Sequence, residues 1–125
     1  MREVVNADGA PAAIGPYSHG VIAGGLLYCS GQTPLDPASG ELVGETAGEQ
    51  ARRCLENLGI VCAAAGTSLE AAVRMTIYMT DLTGFAEVNE VYGKFFTGEP
   101  PARVTIGVAS LPKGASVEID AIVAV

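Results

Sequence analysis

Residues 115–125 read Ala-Ser-Val-Glu-Ile-Asp-Ala-Ile-Val-Ala-Val, and this stretch decides the fold. Every second position is apolar, and the intervening row begins with the polar residues Ser116, Glu118 and Asp120 but ends with Ile122 and Ala124. Successive side chains of a strand point to opposite faces, so this strand is apolar on both faces towards its end. In a domain of one sheet and one layer of helices, the apolar part of the uncovered sheet face would be exposed to solvent. We therefore expect the open face to pack on other copies of the chain.

The segments before this strand alternate between a period of two and a period of 3.6 residues. The predicted elements, in chain order, are a hairpin of residues 17–23 and 26–30, a helix over 46–65, a strand over 73–79, a second helix over 84–97, an extended segment after Pro100-Pro101, and the last strand. Gly24-Gly25 suits a two-residue turn. Thr46 and Glu49 fit a capping box at the start of the first helix, and Gly66 fits its end. Two helices on one face of a single sheet predict an α+β fold.

Length and composition restrict the class of protein. The chain has 125 residues, which predicts a single domain over 1–125, and 49% of its residues are hydrophobic. Its net charge of −7 disfavours binding to nucleic acid or to an anionic membrane. Three cysteines without a C-x-x-C spacing predict neither a disulfide framework nor a zinc site, and they fit a reducing cytoplasm. The sequence shows no signal peptide and no apolar run of transmembrane length.

Two charged residues stand among apolar neighbours and are candidates for chemistry. Arg103 opens a strand that is otherwise apolar, and a guanidinium matches a carboxylate through two parallel hydrogen bonds. Glu118 shares a mostly apolar face with Asp120, where a carboxylate needs a partner or a role in the reaction. The alternative is structural: Arg103 and Glu118 form an ion pair across adjacent strands. The spacing alone does not decide between these interpretations.

Other polar residues carry weaker signals. Tyr17, Ser30 and Asn89 lie near turns or on a helix face, and each has an ordinary structural explanation. His19 is the only histidine, and without a flanking cluster of ligands it makes no metal site. We interpret His19 as a structural residue of a strand. The glycines form neither a phosphate-binding loop nor a dinucleotide fingerprint.

Five segments together resemble the reactive intermediate deaminase (Rid, or YjgF-type) family, and the resemblance covers almost the whole chain. They are Ala13-Ile-Gly-Pro-Tyr-Ser-His-Gly20, Cys29-Ser-Gly-Gln-Thr-Pro34, Phe85-Ala-Glu-Val-Asn-Glu-Val-Tyr92, Pro101-Ala-Arg-Val-Thr105 and Leu111-Pro-Lys-Gly-Ala-Ser-Val-Glu-Ile-Asp120. The resemblance implies a chorismate-mutase-like α+β domain that forms a homotrimer with a site in each cleft between subunits. It also implies an enzyme without metal or organic cofactor that hydrolyses 2-aminoacrylate, 2-aminocrotonate and similar 2-enamine or 2-imine acids to 2-keto acids and ammonia.

The same resemblance assigns roles to individual residues. Arg103 corresponds to the arginine that binds the substrate carboxylate, and Glu118 to the glutamate that holds the attacking water. Three residues correspond to side chains that line the pocket: Tyr17, Ser30 and Asn89. Gly31 and Thr105 stand where the backbone contacts the substrate. The resemblance does not decide whether Glu118 is a base or only orients the water.

Two other functions remain open at this point. A non-enzymatic trimer that binds small acids would use the same Arg103. Some members of the family carry an endoribonuclease label, but the charge of −7 and the single histidine argue against RNA cleavage.

Overall fold

The computed structural model describes residues 1–125 and contains two helices on one face of a six-stranded mixed sheet. The strands are β1 (Glu3–Val5), β2 (Gly20–Ala23), β3 (Leu26–Gln32), β4 (Ala72–Met79), β5 (Ala102–Gly107) and β6 (Val117–Ala124), and the helices are α1 (Ala47–Ala64) and α2 (Phe85–Gly93). The strand order is β1-β2-β3-β6-β4-β5, with β4 and β5 parallel and all other pairs antiparallel. The predicted α+β class and element order are confirmed, and β1 is an addition to them.

Local sequence signals fix several element ends. Gly24 and Gly25 both have positive φ, which the tight turn between β2 and β3 requires. Thr46 and Glu49 form the predicted capping box of α1, with the Glu49 amide donating to the Thr46 hydroxyl at 3.2 Å. Gly66, just beyond α1, has a φ of 81°. These features confirm the predicted hairpin turn and first helix.

The core lies between the helices and the inner face of the sheet. β6 contributes its first apolar row, since Val117, Ile119 and Val123 are fully buried. Met75, Ile77 and Met79 of β4 lie beside them, and Leu55, Leu58 and Val61 of α1 cover both strands. Glu118, Asp120 and Ile122 therefore lie on the outer face, which no helix covers. This arrangement confirms the assignment of the two rows of β6.

Two boundaries and the position of one side chain differ from the prediction. The second helix ends at Gly93 and not near residue 97, because a turn at Lys94 and Phe95 follows it. The alternation of Val73, Met75, Ile77 and Met79 predicts one apolar face for this strand, but Val73 is 48% exposed, because the pairing with β6 is irregular between Ala72 and Arg74. The predicted hairpin includes Tyr17 and His19 in its first strand, but β2 begins only at Gly20.

Neither helix is long and apolar enough to cross a membrane.

His19 ties the segment before β2 to the chain terminus. The Ala7 amide donates to its Nδ1 at 2.9 Å, so the proton resides on Nε2, which donates to the Pro11 carbonyl at 2.9 Å. With both ring nitrogens occupied and only 6% of the residue exposed, His19 has a structural position.

Candidate functional site

The residues singled out from the sequence fall into two groups within one chain. The first surrounds an open cleft of about 310 Å³ on the outer side of the sheet, here called the Glu118 cleft. It is lined by Ile14, Tyr17, Ser30, Gly31, Thr33, Pro112 and Glu118. The second lies at the β5 edge beside α2 and is here called the Arg103 edge; it comprises Phe85, Asn89, Tyr92, Arg103 and Thr105.

An irregularity in β3 places Ser30 and Gly31 at the Glu118 cleft. Cys29 pairs with Ala121 and Gln32 with Ile119, so β3 uses one residue more than β6 between these two pairs. Such a bulge re-aims side chains and interrupts the ladder. The Ser30 hydroxyl donates to the Ser18 carbonyl at 2.7 Å, which ties β3 to the segment carrying Tyr17. In that segment the Ile14 amide donates to the Tyr17 hydroxyl at 3.3 Å.

The Glu118 carboxylate lies directly over the backbone of Gly31. A Cβ at position 31 would overlap Oε2 of Glu118 and would stand 3.0 Å from its Cδ. The absence of a side chain at Gly31 therefore creates the space that the carboxylate occupies.

Burial raises the pKa of Glu118, and the negative charge of Asp120 raises it further. Asp120 accepts a hydrogen bond from the Tyr78 hydroxyl at 2.8 Å on the same face. Glu118 has no such donor and makes no ion pair within the chain. A half-buried carboxylate with a raised pKa beside an open cleft has the properties of a general base.

The register of β5 places Arg103 on the opposite face of the sheet from Glu118. Arg103 pairs with Met75, whose side chain is fully buried on the inner face. Glu118 pairs with Tyr78 on the outer face, and β4 separates β5 from β6. The structural alternative, an ion pair between Arg103 and Glu118 across adjacent strands, is therefore wrong.

Aromatic rings surround the Arg103 guanidinium, and no acid does. Its Cζ lies 4.9 Å from the centroid of the Tyr92 ring and 5.6 Å from that of Phe85. Both rings come from one face of α2, because residues 85, 89 and 92 are spaced by one helical turn each. The half-buried Arg103 makes no hydrogen bond or ion pair within the chain, so its N–H donors are free to bind an external anion.

Three buried polar atoms at the Arg103 edge lack a hydrogen-bond partner. They are Oδ1 of Asn89, the hydroxyl of Tyr92 and Oγ1 of Thr105. These are all the buried side-chain polar atoms without a partner in the chain. Buried polar groups are normally satisfied, and exceptions concentrate at functional sites. Sequence reasoning missed Phe85 and Tyr92, although their spacing from Asn89 was visible.

The three cysteines belong to neither group of candidate residues named above, and a hydrogen bond with Cys29 lowers the pKa of Cys62. Cys29, Cys54 and Cys62 are buried free thiols. A hydrogen bond with Cys62 and burial raise the pKa of Cys29, and burial raises that of Cys54. No group of three or more His, Cys, Asp or Glu side chains could hold a metal ion.

The chain matches known proteins over almost its whole length. A family model described as Endoribonuclease L-PSP matches residues 7–125. Protein DfrA of Myxococcus xanthus is 54% identical over 123 residues, which are 97% of this chain and 94% of that protein. The 2-iminobutanoate/2-iminopropanoate deaminase of Mus musculus is 45% identical over 122 residues, which are 98% of this chain and 90% of that protein. The crystal structure of RidA from an Antarctic Psychrobacter superposes with a TM-score of 0.94 at 41% identity, covering 98% of this chain and 99% of that one.

Proposed function

Since the chain belongs to the reactive intermediate deaminase (Rid, YjgF-type) family, we propose that it hydrolyses 2-enamine and 2-imine acids, such as 2-aminoacrylate and 2-aminocrotonate, to 2-keto acids and ammonia. The observation that carries this proposal is the free guanidinium of Arg103. A half-buried arginine without an acidic partner is suited to bind the carboxylate that all these substrates share. Relatives that bear the name 2-iminobutanoate/2-iminopropanoate deaminase support the reaction class.

We further propose that the site forms between two copies of the chain. Arg103 and Glu118 lie on opposite faces of one sheet, so one small substrate cannot contact both side chains of the same copy. In a homotrimer, the Arg103 edge of one subunit would face the Glu118 cleft of the next. Each closed ring would then contain three equivalent sites. The outer face of the sheet, with Tyr28 and Ile106 more than 40% exposed, offers an apolar surface for this association.

The roles of the residues follow from this arrangement. Arg103 holds the carboxylate, with Asn89 and Thr105 beside it. Glu118, with a raised pKa, takes a proton from one water molecule as that water attacks the imine carbon. Glu118 returns this proton to the nitrogen of the tetrahedral adduct, the carbon–nitrogen bond breaks with release of ammonia, and the hydroxyl group gives up its proton as it becomes the keto oxygen. Tyr17, Ser30 and Gly31 line the cleft in which the attack takes place. Fixing the carboxylate positions an already electrophilic carbon, and a general base contributes about 10²–10⁴-fold.

The reaction is tested by coupling purified protein to a threonine dehydratase and following keto-acid formation. Wild type should accelerate the release of 2-oxobutanoate, and Arg103→Ala should not. Equal acceleration by both proteins would reject the role of Arg103. No acceleration by wild type would leave the small-acid binder as the better interpretation.

The position of the site is tested by complementation. Arg103→Ala and Glu118→Gln should each be inactive alone. When the two variants are coexpressed, a site that takes its arginine from one subunit and its glutamate from the next should recover about a quarter of wild-type activity on statistical mixing. No recovery in mixed trimers would show that both residues act from the same copy.

RNA cleavage receives less support, despite the description of the family model. The net charge of −7 opposes binding to phosphates. The single histidine uses both ring nitrogens in hydrogen bonds to the backbone. An RNA gel with nuclease-free protein should therefore show intact substrate.

A further inference from the structure

Within the chain, the Arg103 guanidinium is held by aromatic rings and not by a carboxylate. A functional arginine is commonly fixed by a carboxylate, which occupies its N–H donors. Here the two nearest groups are the rings of Tyr92 and Phe85, at 4.9 Å and 5.6 Å from Cζ. A ring attracts the cation through its face and uses no in-plane donor. Aromatic contacts can thus hold the guanidinium and leave its edge free for a substrate carboxylate.

We propose that Tyr92 is a positioning residue that holds Arg103 for carboxylate binding, with Phe85 as a weaker second contact. The inference rests on the proposed role of Arg103 as the carboxylate-binding residue. Tyr92 is suited to this role because its side chain is closely packed: it is 5% exposed, and its ring packs on Phe96 at a centroid distance of 4.8 Å. Phe85 is 40% exposed and lies farther from the cation, so it contributes less.

The positioning role proposed here belongs to the ring of Tyr92 and not to its hydroxyl. The hydroxyl is buried without a hydrogen-bond partner, and burial raises its pKa to about 12, so it stays protonated at neutral pH. A phenyl ring offers the same face to the cation. We therefore expect Tyr92→Phe to preserve the site, whereas Tyr92→Leu removes the interaction and keeps an apolar side chain of moderate size.

The experiment measures binding and turnover separately. The binding probe is 2-oxobutanoate, titrated calorimetrically into the wild-type oligomer and its variants, and turnover is followed in the dehydratase-coupled assay. Tyr92→Leu should raise the Kd for 2-oxobutanoate about tenfold and KM about tenfold, while kcat changes less than threefold. Tyr92→Phe should remain within twofold of wild type. Phe85 is exposed, so Phe85→Leu should not impair folding, and it should raise KM about two- to threefold.

Val88→Ala is the matched control, because Val88 is a buried core residue of the same helix and has no aromatic ring to offer the cation. It should lower thermal stability without changing the affinity for 2-oxobutanoate. Unchanged affinity in both Tyr92→Leu and Phe85→Leu would overturn the proposal, as would an equal loss of affinity in Val88→Ala.

The proposed reaction can fail independently of this inference. If wild type binds 2-oxobutanoate but does not accelerate imine hydrolysis, a loss of affinity in Tyr92→Leu still supports the positioning role. If wild type does not bind 2-oxobutanoate, the carboxylate-binding role of Arg103 is rejected, and the positioning role with it.

Discussion

Gly31→Ala should separate activity from stability. The new methyl group would occupy the position of Oε2 of Glu118. Gly31 does not have a positive φ, so alanine fits the backbone there. The contact is with the end of a flexible side chain next to an open cleft, and the carboxylate can therefore swing away at small cost. Alanine also reduces the number of conformations of the unfolded chain, which stabilises the folded state by about 0.4–1 kcal/mol. The free energy of unfolding should thus change by less than about 1 kcal/mol.

The catalytic effect should be much larger. A displacement of about 1 Å in a catalytic group costs on the order of 10²-fold in rate. We expect kcat/KM of Gly31→Ala to fall by about 10²-fold, or about 2.7 kcal/mol in transition-state stabilisation. The measurement is the initial rate of keto-acid formation in the dehydratase-coupled assay, with urea denaturation of the same preparations.

Two controls make this prediction refutable. Gly59→Ala adds a methyl group in α1 that would meet no atom within 4 Å beyond its chain neighbours and the backbone of its own helix, and this variant should keep full activity. The double variant Gly31→Ala/Glu118→Gln should be no slower than Glu118→Gln alone, because the methyl group acts only by displacing Glu118. Near-wild-type activity of Gly31→Ala, or additive losses in the double variant, would refute the reasoning.

Three further predictions concern pH, the N-terminal segment and the loop after β3. Because burial and Asp120 raise the pKa of Glu118 and the base must be ionised, kcat/KM should fall with acidification already above pH 4.5, the ordinary pKa of glutamate. Asp120→Asn should move this acidic fall in kcat/KM to lower pH without abolishing activity. An unchanged pH profile would contradict the assignment of Glu118 as the base. His19→Ala should lose about 2–3 kcal/mol of stability in urea denaturation, since it leaves the Ala7 amide and the Pro11 carbonyl without partners. Asn57→Ala should cost a similar amount, because its amide donates to the carbonyls of Thr33 and Leu35 and fixes the loop after β3; an unchanged urea midpoint in either variant would refute its structural role.

The sequence predicted the features that depend on local patterns. The capping box at Thr46, the Gly24-Gly25 turn and the two rows of β6 each follow from a few neighbouring residues, and the structure confirms them. The three-residue β1 is too short for periodicity to indicate it. The bulge at Ser30-Gly31 exists only in relation to β6, so no local signal marks it.

The relation between Arg103 and Glu118 could not be predicted, because it depends on the strand order. β5 alternates Val104 and Ile106 with Arg103 and Thr105, and an apolar row normally faces the core. In the structure the polar row faces the inner side, since Arg103 and Thr105 pair with Met75 and Ile77, and Ile106 is 41% exposed. An edge strand at the end of the helical layer can place its polar row under α2.

This inversion connects the fold with the proposed chemistry. With the apolar row of β5 outward, Val104 and Ile106 extend the outer face that already carries Ile122 of β6. With the polar row inward, Arg103 reaches the rings of α2 without an acidic partner. In the proposed trimer, the same alternation would provide both an apolar surface for association and a cation for the substrate carboxylate. A carboxylate partner from the same chain would occupy the donors that the substrate needs, and the sheet prevents this by keeping Glu118 on its other face.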